Sequence, residues 1–189
     1  MKVIQLFKND SLLIKRAAAG NRQAQRKIYE KHSGKMLSIC RQYVKDMHHA
    51  EEVMLNGFFK VFNHLKDFRD EGSFEGWMRQ IMVRESISFL RTDKRSMFAE
   101  DEVPENADFS YSFTSEFNAA HIQEVIDSLP EGYKMVFLMY AVEGYKHQEI
   151  AKMLNISEGT SKSQLFKARK MLQEKLEHEN KTAYGTGKV

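Results

Sequence analysis

Residues 144–172 read GYKHQEIAKMLNISEGTSKSQLFKARKML, and their spacing predicts two helices joined by a short turn. The first helix would carry Ile150, Ala151 and Leu154 inward and Lys146, Gln148, Glu149 and Lys152 toward solvent. Asn155-Ile156-Ser157 makes the turn, Ser157 is a good N-cap, and Glu158 lies where the helix dipole favours a carboxylate. In the second helix Ser161, Leu165, Ala168 and Leu172 would share the inward face, leaving Lys162, Ser163, Phe166, Lys167 and Lys170 opposite. Residues 159–173 contain four basic groups and no acidic one. A basic second helix in a helix-turn-helix suits a position among the phosphates of duplex DNA. Phe166 adds an aromatic on the outer face, where a thymine methyl is a fitting contact.

The charge pattern extends this reading to the whole chain. The 189 residues carry a net charge of +3, yet residues 1–96 hold 19 Lys and Arg against 11 Asp and Glu. Residues 97–118 hold six acidic residues and no basic one, together with Pro104 and the aromatics Phe109, Tyr111, Phe113 and Phe117. Apolar spacing is helical nearly throughout, and no strand pair stands out. The expected fold is therefore all-α: two small helical domains, residues 1–96 and 119–180, joined by an acidic flexible linker over 97–118, with the helix-turn-helix in the second and a flexible tail over 181–189.

Composition narrows the chemistry. The single cysteine, Cys40, excludes an internal disulfide framework, and His48-His49 has no partner at a metal-ligand spacing. There is no glycine-rich phosphate loop and no nucleophile with a recognisable base. No catalytic residue, metal, cofactor or small-molecule substrate is expected. No run approaches the roughly 20 apolar residues of a membrane span, and the first residues lack a signal-peptide core, so a cytoplasmic location is expected.

The first domain divides into four helices. Asp10 would cap a short one through about Ala19, and a longer one runs from about Gln23 to Tyr43 with Ile28, the Lys31 stem, Met36, Ile39, Cys40 and Tyr43 on one side. A third spans about His48 to Leu65, with Val53, Phe58, Val61, Phe62 and Leu65 inward. Ser73 would cap the fourth, where Trp77, Ile81, Arg84, Ser88 and Arg91 fall on adjacent turns. Trp77 and Ile81 suit the core, whereas Arg84 and Arg91 suit the phosphates of an unpaired strand. In the second domain Ile122, Val125, Ile126 and Leu129 form one apolar face, and Val136, Phe137 and Tyr140 the next.

Two stretches carry a resemblance. DMHHAEEVMLNGFFKVFNHLKDFRDEGSFEGWMRQI and DSLPEGYKMVFLMYAVEGYKHQEIAKMLNISEGTSKSQLFKARKML, in this order across an acidic segment, resemble the extracytoplasmic-function (ECF) group of bacterial RNA polymerase sigma factors. The resemblance implies core RNA polymerase and promoter DNA as partners, with an anti-sigma protein as a further partner in many members. It places Lys162, Ser163, Phe166 and Lys167 on the −35 element; Lys170, on the same helix face, suits phosphate by its own chemistry. It places Lys60, His64, Phe68, Ile81 and Arg84 on the −10 element around the loop 69–73, with Arg91 on the same helix face. Glu51, Glu52, Leu55, Asn56 and Phe59 would dock on the polymerase. The chain has Leu55-Asn56 where the family commonly has Gln-Glu, Arg84 where it has Asn, and Ser88 where it has Asp. The competing expectation is a dimeric helix-turn-helix regulator with residues 1–95 as sensor or dimerisation domain. No heptad seam supports it.

Overall fold

A computed structural model of the chain describes residues 2–69, 71–93 and 119–185, with side chains described for 10–69, 71–91 and 121–177. All regular structure among these residues is helical, as the apolar spacing predicts. The chain divides into two compact units between residues 93 and 94. The expected linker at 97–118 and the last four residues of the expected tail lie outside the described residues.

The first unit contains α1 (Lys2–Ala18), α2 (Arg22–Tyr43), α3 (Met47–Asn63), a 3-10 turn (Leu65–Asp67) and α4 (Phe74–Asp93). Asp10 does not cap a helix: α1 begins eight residues earlier, and the Asp10 carboxylate instead accepts from Lys31 Nζ at 2.8 Å. That pair also turns Lys31 outward rather than along the core. The true caps are Asn21, which accepts from the Ala24 N–H at 2.9 Å, and Asp46, which accepts from the His49 N–H at 2.9 Å. Ser73 Oγ accepts from the Gly76 N–H at 3.3 Å, the expected cap of α4.

Ile28, Met36, Ile39, Cys40 and Tyr43 of α2, Val53, Phe58 and Val61 of α3, and Met78, Met82, Val83 and Ile87 of α4 are all buried. Each large side chain so buried contributes about 1.5–3 kcal/mol. Helices α3 and α4 cross closely because Gly57 has no side chain, and the Met82 thioether occupies the place a Cβ would take. Burial pushes the Cys40 thiol up to about 11, so it packs as a small apolar group and is no nucleophile. Phe62 is only half-buried.

The second unit contains α5 (Ala119–Asp127), α6 (Glu131–Phe137), a π-helical segment (Leu138–Val142), α7 (His147–Leu154) and α8 (Glu158–Gly185). Its core is Val125, Leu129, Met135, Val136, Leu138, Met139, Ile150, Leu154, Leu165 and Ala168. The turn between α7 and α8 forms as the sequence predicts. Asn155 takes the left-handed conformation at φ 56°, and Ser157 Oγ accepts from the Thr160 N–H at 2.9 Å. Helix α8 continues to Gly185, past residue 180.

Two residues expected inside are outside. Ile122 is 46% exposed and Tyr140 is 36% exposed. For Tyr140 the cause is local: the Glu143 N–H bonds the Leu138 carbonyl at 3.0 Å, five residues back, so the chain leaves α-helical phase there.

Lys134 is buried and pairs with Asp127, which also accepts from Gln123 Nε2 at 3.2 Å. Removing one member of such a pair takes a compensating charge away from the other in the interior. Asp127→Ala is therefore expected to destabilise the second unit by about 3–5 kcal/mol, and Lys134→Met by less. Amide hydrogen exchange across residues 121–177 checks both, and equal protection in Asp127→Ala and parent would contradict the role given to the pair.

Candidate nucleic-acid interface

Helix α8 turns a partly polar face inward, and one of its hydroxyls, Ser161, bonds His147 of α7. Thr160, Ser161, Ser163 and Gln164 are buried along with Leu165 and Ala168. This rotates the helix relative to the face expected from spacing. Ser163 is 1% exposed and donates its hydroxyl to the Thr160 carbonyl at 3.0 Å, so it offers DNA neither surface nor proton. Periodicity misplaced it because serine is compatible with either face. The exposed line is Lys162, Arg169 and Lys170, with Phe166 half-buried among them and Lys167 half-buried toward the edge. Lys162 pairs with Glu158 at 3.0 Å, an exposed i,i+4 contact that phosphate could displace at little cost.

Arg169 was missed by the sequence reading. It stands over the Tyr140 ring at 5.6 Å, and that ring stacks on His147 at 4.6 Å and 24°. The His147 Nδ1 lies 2.9 Å from the Ser161 hydroxyl. Burial first, then the nearby Lys162, holds the His147 imidazole below its ordinary range.

In the first unit an aromatic cluster backs the loop that leads into α4. Phe68 lies 5.2 Å from Phe74 and 5.5 Å from Trp77, and Phe74 stacks on Trp77 at 5.8 Å and 23°. Beside it is a cleft of about 430 Å³ lined by Asp67, Phe68, Arg69, Glu71, Gly72, Ser73, Gly76, Trp77 and Gln80, so that two carboxylates share it with the aromatics and Arg69. Trp77 is thus a half-buried wall of this cleft and not a core residue. Gln80 was not singled out by the sequence reading. Ile81 is half-buried one turn along α4, and Arg84 and Arg91 are exposed. Lys60 is engaged by Glu85, and His64 lies 3.0 Å from Asp67. Both can approach a strand only by sharing or exchanging these partners.

On α3 the residues expected at the polymerase form one exposed face. Glu51, Glu52 and Asn56 are exposed, Leu55 is 54% exposed and Phe59 69%. Val53, Met54, Gly57 and Phe58 are buried on the other side. Two large apolar groups are thus exposed beside carboxylates on this face. No helix among the described residues is long and apolar enough to cross a membrane.

A lowered imidazole pKa makes a checkable statement about pH. The unfolded chain holds the proton more tightly than the folded one, so His147 contributes stability above the ordinary value of about 6.5, lost as pH falls through the lower folded value. Stability of the second unit should fall below about pH 6.5, and His147→Gln should flatten that fall. Hydrogen exchange at several pH values measures it, and an unchanged slope would remove His147 as the cause.

Comparison with known proteins bears on what this arrangement is for. Residues 28–96 match Sigma-70 region 2, and residues 120–172 match Sigma-70, region 4. The ECF RNA polymerase sigma-E factor of Haemophilus influenzae is 24% identical over 182 residues, covering 89% of this chain and 95% of the relative. The RNA polymerase sigma factor SigV of Bacillus subtilis is 26% identical over 149 residues, covering 79% and 89%. A solved structure of the sigma factor RpoE with the anti-sigma factor NepR from Bartonella quintana aligns at 16% identity and a TM-score of 0.49, covering 80% of this chain and 96% of that one. With both sigma regions matched in order over 122 of 189 residues, and with relatives that align along nearly their whole length, the chain belongs to the sigma-70 family, in its extracytoplasmic-function group.

Proposed function

We propose that this promoter-directing sigma factor divides its work between the two units. The second reads the −35 element as duplex through α8. The first holds the opened −10 strand on the loop cleft and α4. The α3 face carrying Leu55 and Phe59 docks on core RNA polymerase, and the protein acts in the cytoplasm. The observation that carries this reading is the exposed line of Lys162, Arg169 and Lys170, with the half-buried Phe166 among them, on a helix whose opposite face is buried in the second unit. It supports insertion in a major groove, with cations toward phosphates and an aromatic toward base edges.

Such a mechanism needs binding alone, with no catalytic group. One recognition module buries only about 600–1,000 Å² of protein surface, so it binds weakly by itself. Docking on polymerase would hold both units near one promoter and raise their effective concentration. A dimeric regulator with an amino-terminal sensor is not favoured, because both sigma regions are matched in order.

The test is transcription reconstituted from core polymerase and this chain on a promoter library. A recovered promoter consensus that requires the chain is the expected result. Transcription no greater than with core alone would overturn the reading. On such a promoter, Phe166→Ala should relax preference at one upstream position by about 1–3 kcal/mol. Preference unchanged at every position would take Phe166 out of the groove.

Strand capture has a separate readout. A base stacked on an aromatic or guanidinium contributes about 1–3 kcal/mol, enough to bias opening. Arg84→Ala in the holoenzyme should therefore leave upstream duplex binding intact and lower permanganate reactivity of unpaired thymines. Equal reactivity in mutant and parent would return Arg84 to the status of a solvated surface cation.

A further inference from the structure

Tyr140 is an aromatic brought to the surface by a π-helical segment, and its ring is occupied. His147 stacks on it at 4.6 Å and the Arg169 guanidinium lies 5.6 Å from its centroid. His147 is itself held by the Ser161 hydroxyl at 2.9 Å, and Ser161 is fully buried in the first turn of α8. The contacts therefore run from Ser161 through His147 and Tyr140 to Arg169, eight residues further along the same helix. A long exposed side chain is thereby tied to the helix that bears it through two rings belonging to other elements.

Arg169 lies seven residues, or two turns, beyond Lys162, roughly 10 Å along the same line of α8. A guanidinium lying on an aromatic ring keeps its in-plane N–H donors available to an anion. Burial, then Lys162 and Arg169, disfavour a charge on His147 against the opposing pull of Glu158, which lessens repulsion of the cation the ring helps to seat.

We propose that Tyr140, supported by His147, is a positioning residue that holds Arg169 in the exposed line of α8 to take a backbone phosphate of the duplex. This deepens the reading of α8 as the −35 helix and rests on it. The contact fixes the register of the helix in the groove, while base preference stays with Lys162 and Phe166.

The experiment measures affinity of holoenzyme made with the full chain for a library-selected promoter across a series of KCl concentrations. Each phosphate contact contributes about 0.9 to the slope of log K against log salt. Arg169→Ala should lower the slope by about that amount. Tyr140→Ala should reproduce the drop, and so should Tyr140→Leu, which fills space without an aromatic face. Tyr140→Phe should match the parent, and Tyr140→Ala combined with Arg169→Ala should fall no further than Arg169→Ala alone. Hydrogen exchange over residues 121–177 confirms that each variant is folded. A parental slope in both Tyr140→Ala and Tyr140→Leu, with a lowered slope in Arg169→Ala, would overturn the positioning role. A parental slope in Arg169→Ala would overturn the phosphate contact. Failure of the underlying reading has a different signature: Lys162→Ala and Phe166→Ala would then leave sequence preference unchanged.

Discussion

The seating of α8 determines what the second unit can present to a partner. Thr160, Ser161, Ser163 and Gln164 are buried beside Leu165 and Ala168, and the hydroxyls are satisfied locally or by His147. An all-apolar inner face would tolerate small rotations, since dispersion and area burial have little directionality. A hydrogen bond to another element does not: turning α8 away from His147 of α7 would leave the buried Ser161 hydroxyl unpaired at about 1–3 kcal/mol, whereas the Thr160 and Ser163 hydroxyls bond within α8 and its cap and turn with it. The Ser161–His147 contact thus helps to select one rotation of the helix, and with it the residues that point out.

In the first unit the corresponding constraint is steric. The α3–α4 crossing at Gly57 and Met82 brings the two helices close and buries Val53, Phe58 and Val61 on one side of α3. Leu55 and Phe59 are then left outward by helical geometry, since they lie on the opposite side of the same turns. The exposed apolar pair is a consequence of the core on the other face, and it is there that the proposed polymerase contact would complete the packing. The aromatic cluster of Phe68, Phe74 and Trp77 serves the loop differently, giving it a firm wall on one side.

Much of this was legible in the sequence because amphipathic spacing is strong where helices are long and one-sided. The core of α2, the Asn155 turn and the Ser157 cap all follow from residue type and spacing. The reading failed where local rules compete. Asp10 has the chemistry of a cap, but Lys31 from α2 takes its carboxylate and α1 runs through it. Ser163 is small and polar enough for either face, so periodicity could not assign it. Tyr140 was placed inward by counting in α-helical turns through a stretch that has a different period. Trp77 was assigned to the core from its residue type, yet it lines a cleft whose other wall is a loop. The cation line of α8 was visible in outline, but the importance of Arg169 depends on a ring contributed from 29 positions earlier in the chain.

The π-helical segment at Leu138–Val142 has an evolutionary implication. Such a segment accommodates one residue beyond the α-helical count, so gaining or losing it is a single-codon insertion or deletion. Removing that residue would shift the phase of everything after it by about 100° and swing the aromatic at 140 to another side of its helix. Helix α8 would keep its sequence unaltered while losing the seat of one of its cations. If α8 reads the promoter as proposed, promoter response would then drift through length changes outside α8, which comparison of α8 sequences alone would not detect.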